Sequence, residues 1–401
     1  MSHSDPQPSP DIAASLDSER LVGRLQRLVK AASENPPGEE AEAGKVAAEL
    51  CRDAGGEVEV HEATPGRPNV VARWGTGDGP TLGFCSHIDV VPAGDRNLWA
   101  VDPYAGEIRD GQLLGRGACD AKGPIAAAVE AVEMLRTTGT KLEGTLELEL
   151  VSDEEAMGYQ GAGSLVEKGL IRPDMAIVGE PTSLQVVLAQ RGACWLRITT
   201  HGKAAHGSTP ERGRSAIRDM AEIVLRLDAT LPDITHPVVG GPSINVGTIH
   251  GGEKVNIVAA GCEIRVDRRT IPGESEESVL ESIFAAIELA KERFPDIDAV
   301  VEVDSFAHPF EVVPDSRVVR ELSAGIEYAS GVPAEMTGLL ASTDARFLAQ
   351  AGADVVVCGP GDLSVAHTAA EYIELAELER GAVAYASAFA RLLAPGDAAS
   401  N

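Results

Sequence analysis

The segment TLGFCSHIDVV, residues 81–91, is a nearly continuous apolar run that carries a few polar residues toward its end. Such a run is typical of a β-strand that is buried on both faces, as in a parallel sheet covered by helices. Downstream, the helix-like KGPIAAAVEAVEMLRTTG is followed by the strand-like GTLELELVS and, after another helix, by DMAIVGEP. This alternation predicts an α/β layer with a mixed, largely parallel sheet between helices.

Around residue 185 the pattern changes to long strand-like segments and two helices, in the order β-α-β-β-α-β. That order can form one sheet covered by two helices. Helix–strand alternation resumes beyond about residue 306. We therefore predict an α/β domain interrupted by a smaller α+β domain. The predicted parts are a flexible tail (1–17), the first part of the larger domain (18–184), the insert (185–305) and the second part of the larger domain (306–401).

The composition excludes several classes of partner. The chain has 62 Asp and Glu residues against 34 Lys and Arg, a formal charge of -28. So acidic a surface repels phosphate backbones and anionic lipids, and we expect neither a nucleic-acid partner nor a membrane association. The start of the chain lacks the basic and apolar regions of a secretory signal, and the six cysteines contain no CxxC pair. These features predict a cytoplasmic protein with reduced thiols.

Residues with acid–base or ligand chemistry follow the predicted strands, where ligands bind in open α/β sheets. They are His87 and Asp89 in SHIDVVP, Asp120 in GRGACDAKG, Glu154 and Glu155 in SDEEAMG, Glu180 in GEPT, and His367 in AHTAAEY. Taken singly, each fits an ordinary structural role, such as a helix N-cap or a solvated acidic surface. Together their nitrogen and oxygen donors suit zinc, with cobalt or manganese as substitutes. There are more ligands than one catalytic zinc needs, which predicts two ions about 3.5–4 Å apart with a shared carboxylate.

In order and spacing these motifs resemble those of a dinuclear zinc exopeptidase and deacylase family. That family includes acetylornithine deacetylase, succinyl-diaminopimelate desuccinylase, aminoacylase and glutamate carboxypeptidase. The resemblance covers about residues 20 to 390 and also rests on WAVDPY, HGKAAHGS and STDARF. It implies the following ligands: His87 and Glu180 for one zinc, Glu155 and His367 for the other, and Asp120 as the bridge.

The resemblance also implies roles for residues around these ligands. Asp89 would orient His87, and Glu154 would act as general base and then as general acid. The peptide bond that follows Asp120 would be cis. In the predicted insert, His206 matches a histidine that polarises the scissile carbonyl, often from the partner subunit. The implied assembly is therefore a homodimer that forms through the insert.

Three further residues are implied to bind the substrate carboxylate. Asn256 and Arg269 match the family's positions for this contact, and Arg346 in STDARF is another candidate. Taken on their own, these residues and His206 have structural alternatives: a surface loop for His206, a strand edge for Asn256 and an ordinary ion pair for Arg269.

The function implied by the resemblance is hydrolysis of an N-acyl amino acid to a carboxylic acid and a free amino acid, as in acetylornithine deacetylase or succinyl-diaminopimelate desuccinylase. Two alternatives remain open. One is a dipeptidase or carboxypeptidase of the same family, in which the other side of the amide fills the pocket. The other is a metal-free binding protein on the same fold. The motifs leave the acyl group and the amino acid unspecified.

Overall fold

The computed structural model describes residues 11–393. The helices are α1 Asp11–Ala14, α2 Ser18–Lys30, α3 Ala41–Asp53, α4 Lys122–Thr137, α5 Ala162–Glu167, α6 Ala216–Leu227, α7 Glu276–Lys291, α8 Arg317–Ser330, α9 Ala345–Gln350 and α10 Leu375–Leu392. The strands are β1 Glu57–Glu62, β2 Pro68–Gly75, β3 Thr81–His87, β4 Glu107–Arg109, β5 Gln112–Leu114, β6 Thr145–Val151, β7 Met175–Val178, β8 Val186–Gln190, β9 Gly192–His201, β10 Ser243–Gly251, β11 Gly261–Thr270, β12 Asp298–Ala307, β13 Phe310–Glu311, β14 Met336–Leu339, β15 Asp354–Val357 and β16 Tyr372–Glu374.

Two compact units divide the chain. The larger unit comprises the chain up to Leu188, Val312–Thr337 and the chain from Thr343 onward, and the smaller unit comprises Ala189–Glu311 and Gly338–Ser342. The sequence predicts the insert at residues 185–305. In the structure the smaller unit begins within β8, and residues 338–342 also belong to it. A strand that continues from one unit into the next leaves no turn signal in the sequence, so the pattern could not mark these boundaries.

The main sheet of the larger unit has the strand order β1–β2–β6–β3–β7–β15–β8. Its central strands β6, β3, β7 and β15 are parallel neighbours, and the pairs outside them are antiparallel. The apolar run TLGFCSH forms β3 at the centre and is almost completely buried. The predicted mixed α/β fold with a largely parallel central sheet is therefore confirmed. In the register, His87 pairs with Val151, the last residue of β6, so both strands end at one edge of the sheet.

Small and aromatic side chains join the helices to this sheet. Helix α4 is rich in alanine and nearly all of it is buried. The Phe84 ring on β3 lies edge-on to the rings of Tyr385 and Phe389 on α10, with centroids 5.0 and 6.1 Å apart. Edge-on contacts of this kind add to the free energy gained from burying the rings. The packing holds β3, and with it His87, in a fixed position.

Replacing Phe84 by Ala is expected to destabilise the larger unit by about 3–5 kcal/mol, because the deletion leaves a cavity between β3 and α10. Denaturant unfolding followed by circular dichroism measures the loss. Val60→Ala, at a half-exposed position of β1, is the control and is expected to change stability by about 0.5 kcal/mol or less. Equal stability of the two variants would contradict the packing described for Phe84.

The smaller unit contains a sheet of order β10–β11–β9–β12 whose neighbouring strands are all antiparallel. Along the chain its elements run β9, α6, β10, β11, α7, β12, which is the predicted β-α-β-β-α-β order. Apolar residues of the sheet and of both helices form a core of their own, including Leu196, Met220 and Ile283. The opposite face of the sheet carries ion pairs, such as Arg197 with Asp304 at 3.0 Å.

The predicted flexible tail needs correction. Residues 11–14 form helix α1, and Ile12 is only 1% exposed because it packs into the core of the larger unit. Asp17 caps α2 by accepting a hydrogen bond from the backbone N–H of Arg20 at 3.0 Å. The rest of the predicted tail, residues 1–10, lies outside the described residues, as do residues 394–401. Among the helices of the described part, none has the length and apolar character needed to cross a bilayer.

Candidate metal centre

The predicted ligands meet at the carboxyl edge of the central parallel strands. His87 is the last residue of β3, and Glu155 lies in a short turn, Glu154–Ala156, that follows β6. Glu180 comes two residues after β7, and His367 lies in the loop that follows β15. Because parallel neighbours end at the same edge of a sheet, these side chains converge although they are far apart in the sequence. Asp120 reaches the same place from the loop that opens α4.

Asp120 lies between the two histidines. Its Oδ1 is 3.1 Å from Nε2 of His87, and its Oδ2 is 3.1 Å from Nε2 of His367. Each imidazole faces a second carboxylate as well. Glu180 Oε2 is 3.8 Å from Nε2 of His87, and Glu155 Oε2 is 3.1 Å from Nε2 of His367. The donors thus form two groups of three that share the carboxylate of Asp120.

These donor separations fit metal ions. Tetrahedral zinc with bonds of about 2.0–2.1 Å holds neighbouring ligand atoms roughly 3.3–3.4 Å apart, close to the separations found here. Ligand atoms of His87, Asp120 and Glu155 all lie within 4.8 Å of one another. Three carboxylates carry more negative charge than one divalent ion neutralises, so the donor set has the chemistry to hold two.

The raised pKa values of the two histidines indicate that the cluster favours positive charge. Hydrogen bonds to Asp120 and Glu155 raise the pKa of His367 to about 10. Burial alone would lower the pKa of His87, but its bonds to Asp120, Asp89 and Glu180 raise it well above its ordinary value. The cluster therefore stabilises cations, and bound divalent ions would take the place of these protons.

Asp89, which is expected to orient His87, lies next to Nδ1 of that ring with both its backbone carbonyl and its carboxylate. Nδ1 of His87 is 2.9 Å from the backbone carbonyl oxygen of Asp89 and 3.6 Å from its carboxylate. The main chain is the nearer acceptor, and a proton donated to it leaves Nε2 free to bind a metal. The Asp89 carboxylate also accepts the backbone N–H groups of Glu154 and Glu155, both at 3.2 Å. Asn35, which carries no motif in the sequence, donates to the same carboxylate at 2.8 Å.

Glu154 is held in the tight turn that follows β6. Asp153 and Met157, on either side of the turn, adopt left-handed backbone conformations, with φ of 75° and 85°. Burial raises the pKa of Glu154 well above its ordinary value, and the negative charge of Glu180 raises it further. A carboxylate in such surroundings holds a proton more strongly than one in water, which suits a group that accepts and returns protons.

The loop that carries Asp120 has the backbone geometry that the resemblance implies. The Asp120–Ala121 peptide bond is cis. Ser86 joins this loop to neighbouring parts of the centre, since its Oγ lies 2.8 Å from the carbonyl oxygen of Gly179 and 3.2 Å from that of Ala121. A buried hydroxyl thus lies among the segments that supply His87, Asp120 and Glu180.

His206 and Asn256 lie on adjacent loops of the smaller unit. The backbone N–H of Gly207 donates to the carbonyl oxygen of Asn256 at 2.8 Å, and both side chains belong to exposed residues. Nδ1 of His206 accepts from the backbone N–H of Ser208 at 3.2 Å and lies 2.7 Å from that residue's Oγ. This pattern assigns the proton of the neutral ring to Nε2. Arg269, on β11, pairs with Asp267 of the same strand at 3.0 Å.

Arg346, a candidate for binding the substrate carboxylate, lies buried against the backbone. The residue is only 3% exposed. Its guanidinium donates to the carbonyl oxygen of Thr343 at 2.9 Å and to that of Met157, and it lies over the Phe347 ring. A guanidinium bound to these two backbone carbonyls also supports the Met157 turn.

Comparison with known sequences yields a consistent set of relatives. The sequence model of peptidase family M20/M25/M40 matches residues 83–391. An acetylornithine deacetylase of Photorhabdus laumondii is 33% identical over 82% of this chain and 84% of that protein. An acetylornithine deacetylase of Myxococcus xanthus is 35% identical over 78% of this chain and 80% of that protein.

Solved structures include similar folds. The aminopeptidase PepT from Bacillus cereus superposes with a TM-score of 0.78 at 26% identity, covering 94% of this chain and 99% of that one. A metallo-carboxypeptidase from Sulfolobus solfataricus superposes with a TM-score of 0.76 at 19% identity, covering 93% and 99%, and supports the fold alone.

Proposed function

Because the chain belongs to peptidase family M20/M25/M40, we propose that it is a metal-dependent amide hydrolase that removes the acyl group from an N-acyl amino acid. One observation carries the proposal: Asp120 lies 3.1 Å from a histidine on either side, and each histidine faces a further carboxylate. The acetylornithine deacetylases among the relatives support an acyl group as the part removed. The aminopeptidase PepT among the similar structures supports the second candidate, a peptidase of the same family such as a dipeptidase or carboxypeptidase.

The proposed cofactor is a pair of zinc ions, with cobalt or manganese as substitutes. His87, Glu180 and Asp120 would hold one ion, and Glu155, His367 and Asp120 the other. When bound, such a pair supplies Lewis acidity, which makes a water molecule a nucleophile near neutral pH and polarises an amide carbonyl. The backbone carbonyl of Asp89 keeps Nε2 of His87 available as a ligand, because it accepts the proton on Nδ1.

In the proposed reaction Glu154 moves the proton. Its carboxylate accepts a proton from the attacking water as the carbon–oxygen bond forms. It then donates that proton to the amide nitrogen as the carbon–nitrogen bond breaks, so that the amine leaves neutral. Burial raises the pKa of Glu154, which allows its carboxylate to hold the proton between these two events.

The smaller unit would supply the groups that recognise the substrate. His206, with its proton on Nε2, would donate a hydrogen bond to the oxyanion that develops on the substrate, a contact typically worth about 2.7–4 kcal/mol. Asn256 and Arg269 would bind the substrate carboxylate, for which the planar guanidinium is suited. Arg269 would then turn from Asp267 to the substrate.

We further propose a homodimer that forms through the smaller unit and a cytoplasmic location. The cysteines support the location, because Cys51, Cys85, Cys119, Cys194, Cys262 and Cys358 are all buried free thiols. Light scattering tests the assembly: we expect the mass of two chains, and a monomer would exclude the action of His206 in a partner's site.

A substrate panel tests the proposed function. We expect hydrolysis of N-acetyl, N-succinyl or N-formyl amino acids with zinc or cobalt present, and little hydrolysis of dipeptides. Dialysis against a chelator is expected to reduce the rate to background, and added zinc or cobalt should restore it, because the proposed nucleophile depends on the ions. Release of free amine is the measurement.

Each outcome of the panel separates two candidates. Cleavage of dipeptides alone would replace the deacylase with the peptidase candidate. A protein that binds no divalent metal and hydrolyses none of the amides would instead favour the metal-free binding protein.

A further inference from the structure

Glu371 is a buried acid next to the candidate centre to which the motifs assign no role. It is 1% exposed. Its Oε1 accepts three backbone N–H groups, from Gly117 at 2.9 Å and from Cys119 and Asp120 at 3.2 Å each. Backbone N–H groups of one loop that converge on one oxygen form an anion-binding concavity, and here the anion is a side chain of the same protein.

The other oxygen of Glu371 completes the contact. Oε2 pairs with Nη1 of Arg116, which is itself buried and lies over the Trp99 ring at 5.1 Å. The guanidinium offsets the repulsion between the carboxylates of Glu371 and Asp120. Glu371 therefore binds the backbone of the loop that ends at Asp120 and also the Arg116 guanidinium of the same loop.

The backbone conformation of this loop is compatible with the contact to Glu371. Gly117 has a φ of +82°, and a Cβ added there would lie 2.7 Å from Cγ1 of Val90. Such a left-handed residue directs its N–H inward, toward Oε1 of Glu371. Without the carboxylate, these buried N–H groups would lose the acceptor that they have now, which is costly.

Glu371 also connects two metal-ligand segments. It lies four residues after His367, in AHTAAEY, and directly before β16. Strand β16 pairs with β5, with Tyr372 opposite Leu114, and β5 leads into the loop of Asp120. The backbone N–H of Gly115 donates to the carbonyl oxygen of Glu371 at 3.1 Å. Asp120 and His367 are thus held relative to each other by the protein itself.

We propose that Glu371 is a positioning residue that sets the metal affinity of the centre by fixing Asp120, the carboxylate shared by both ions. The inference rests on the proposed function for the identity of the ligands. It adds that the position of the shared ligand, Asp120, is set by Glu371, whose carboxylate is not among the proposed ligands. Removal of Glu371 should weaken the binding of both ions together, because both would be bound by Asp120.

The test measures metal binding directly. Protein freed of metal by dialysis is titrated with Zn2+ in competition with a chromophoric chelator, for the unchanged chain, E371A and E371Q. We expect E371A to weaken zinc binding about 10–100-fold, as loss of a group behind the ligands typically does. E371Q keeps an acceptor for the loop but loses the charge opposite Arg116, so its affinity should lie between the other two. Absorption of bound Co2+ should change in E371A, since it reports ligand geometry.

Glu130→Gln is the matched control. Glu130 is also buried and paired with arginines, at 2.9 Å from Nε of Arg20, but it lies on α4 away from the loop of Asp120. We expect E130Q to lower thermal stability and to leave zinc affinity unchanged. Wild-type zinc affinity in folded E371Q and E371A would overturn the inference and leave the proposed function intact. If the unchanged chain bound no metal, both the inference on Glu371 and the proposed function would be refuted.

Discussion

Replacing Glu154 by Gln is expected to lower kcat by about 10²–10⁴-fold while the metal content per chain stays unchanged. Glutamine has nearly the same size as glutamate but cannot accept a proton from water or return one to the leaving amine. The backbone N–H of residue 154 still binds Asp89, so the turn keeps its position. Steady-state kinetics on the best substrate of the panel and elemental analysis of the same sample measure the two quantities.

Glu155→Gln is the contrasting variant. Glu155 adjoins Glu154, but its carboxylate lies 3.1 Å from His367 and belongs to the proposed ligands. We expect E155Q to lose metal first and activity as a consequence. If E154Q turned over at the wild-type rate, the assignment of the general base would fail, and with it the proposed proton transfer.

Replacing Asp120 by Asn is expected to abolish measurable turnover and to lower the metal content to at most one ion per chain. An amide presents one oxygen and one NH2 group, so the group facing either His87 or His367 becomes a donor that repels a cation. Without a shared carboxylate, a pair of ions also loses the negative charge between them. Elemental analysis and the substrate assay measure both effects.

Asp362→Asn is the control for this prediction. Asp362 is an exposed acid whose backbone carbonyl lies 3.4 Å from Sγ of Cys119, and its side chain accepts from the backbone N–H of Ser364 at 2.8 Å. We expect D362N to keep wild-type metal content and activity. Two tightly bound ions in D120N would show that Asp120 is not the shared ligand.

The proposed ligands could be located from the sequence because residues that follow neighbouring parallel strands lie at the same edge of the sheet. His87, Glu155, Glu180 and His367 each follow a recognisable buried strand, and strand ends of one parallel sheet meet at one edge. The strand pattern alone could not show which donor lies next to which, because register and loop path decide this; only the family resemblance implied Asp120 as the bridge. The structure adds the distances, with Asp120 at 3.1 Å from each histidine.

The contacts of several other residues could not be predicted from the sequence, for identifiable physical reasons. Glu371 and Asn35 act through backbone N–H groups and another side chain, and such contacts leave no spacing pattern. Arg346 is itself a candidate for binding the substrate carboxylate, and the sequence could not show that its guanidinium is buried against two backbone carbonyls. Ile12 lies in a segment rich in Pro, Ser and Asp, and one apolar residue is too weak a signal to predict burial.

The segments that carry the ligands have a consequence for the stability of the whole chain. His87, Asp120, Glu155 and Glu180 precede the smaller unit in the sequence, and His367 follows it. Ions bound by both sets would act as a reversible cross-link between the two ends of the interrupted unit. At a free ion concentration of 100 times the dissociation constant, one such site adds about 2.7 kcal/mol to stability. Metal supply would then govern how long the protein survives unfolding and proteolysis, in addition to how fast it turns over.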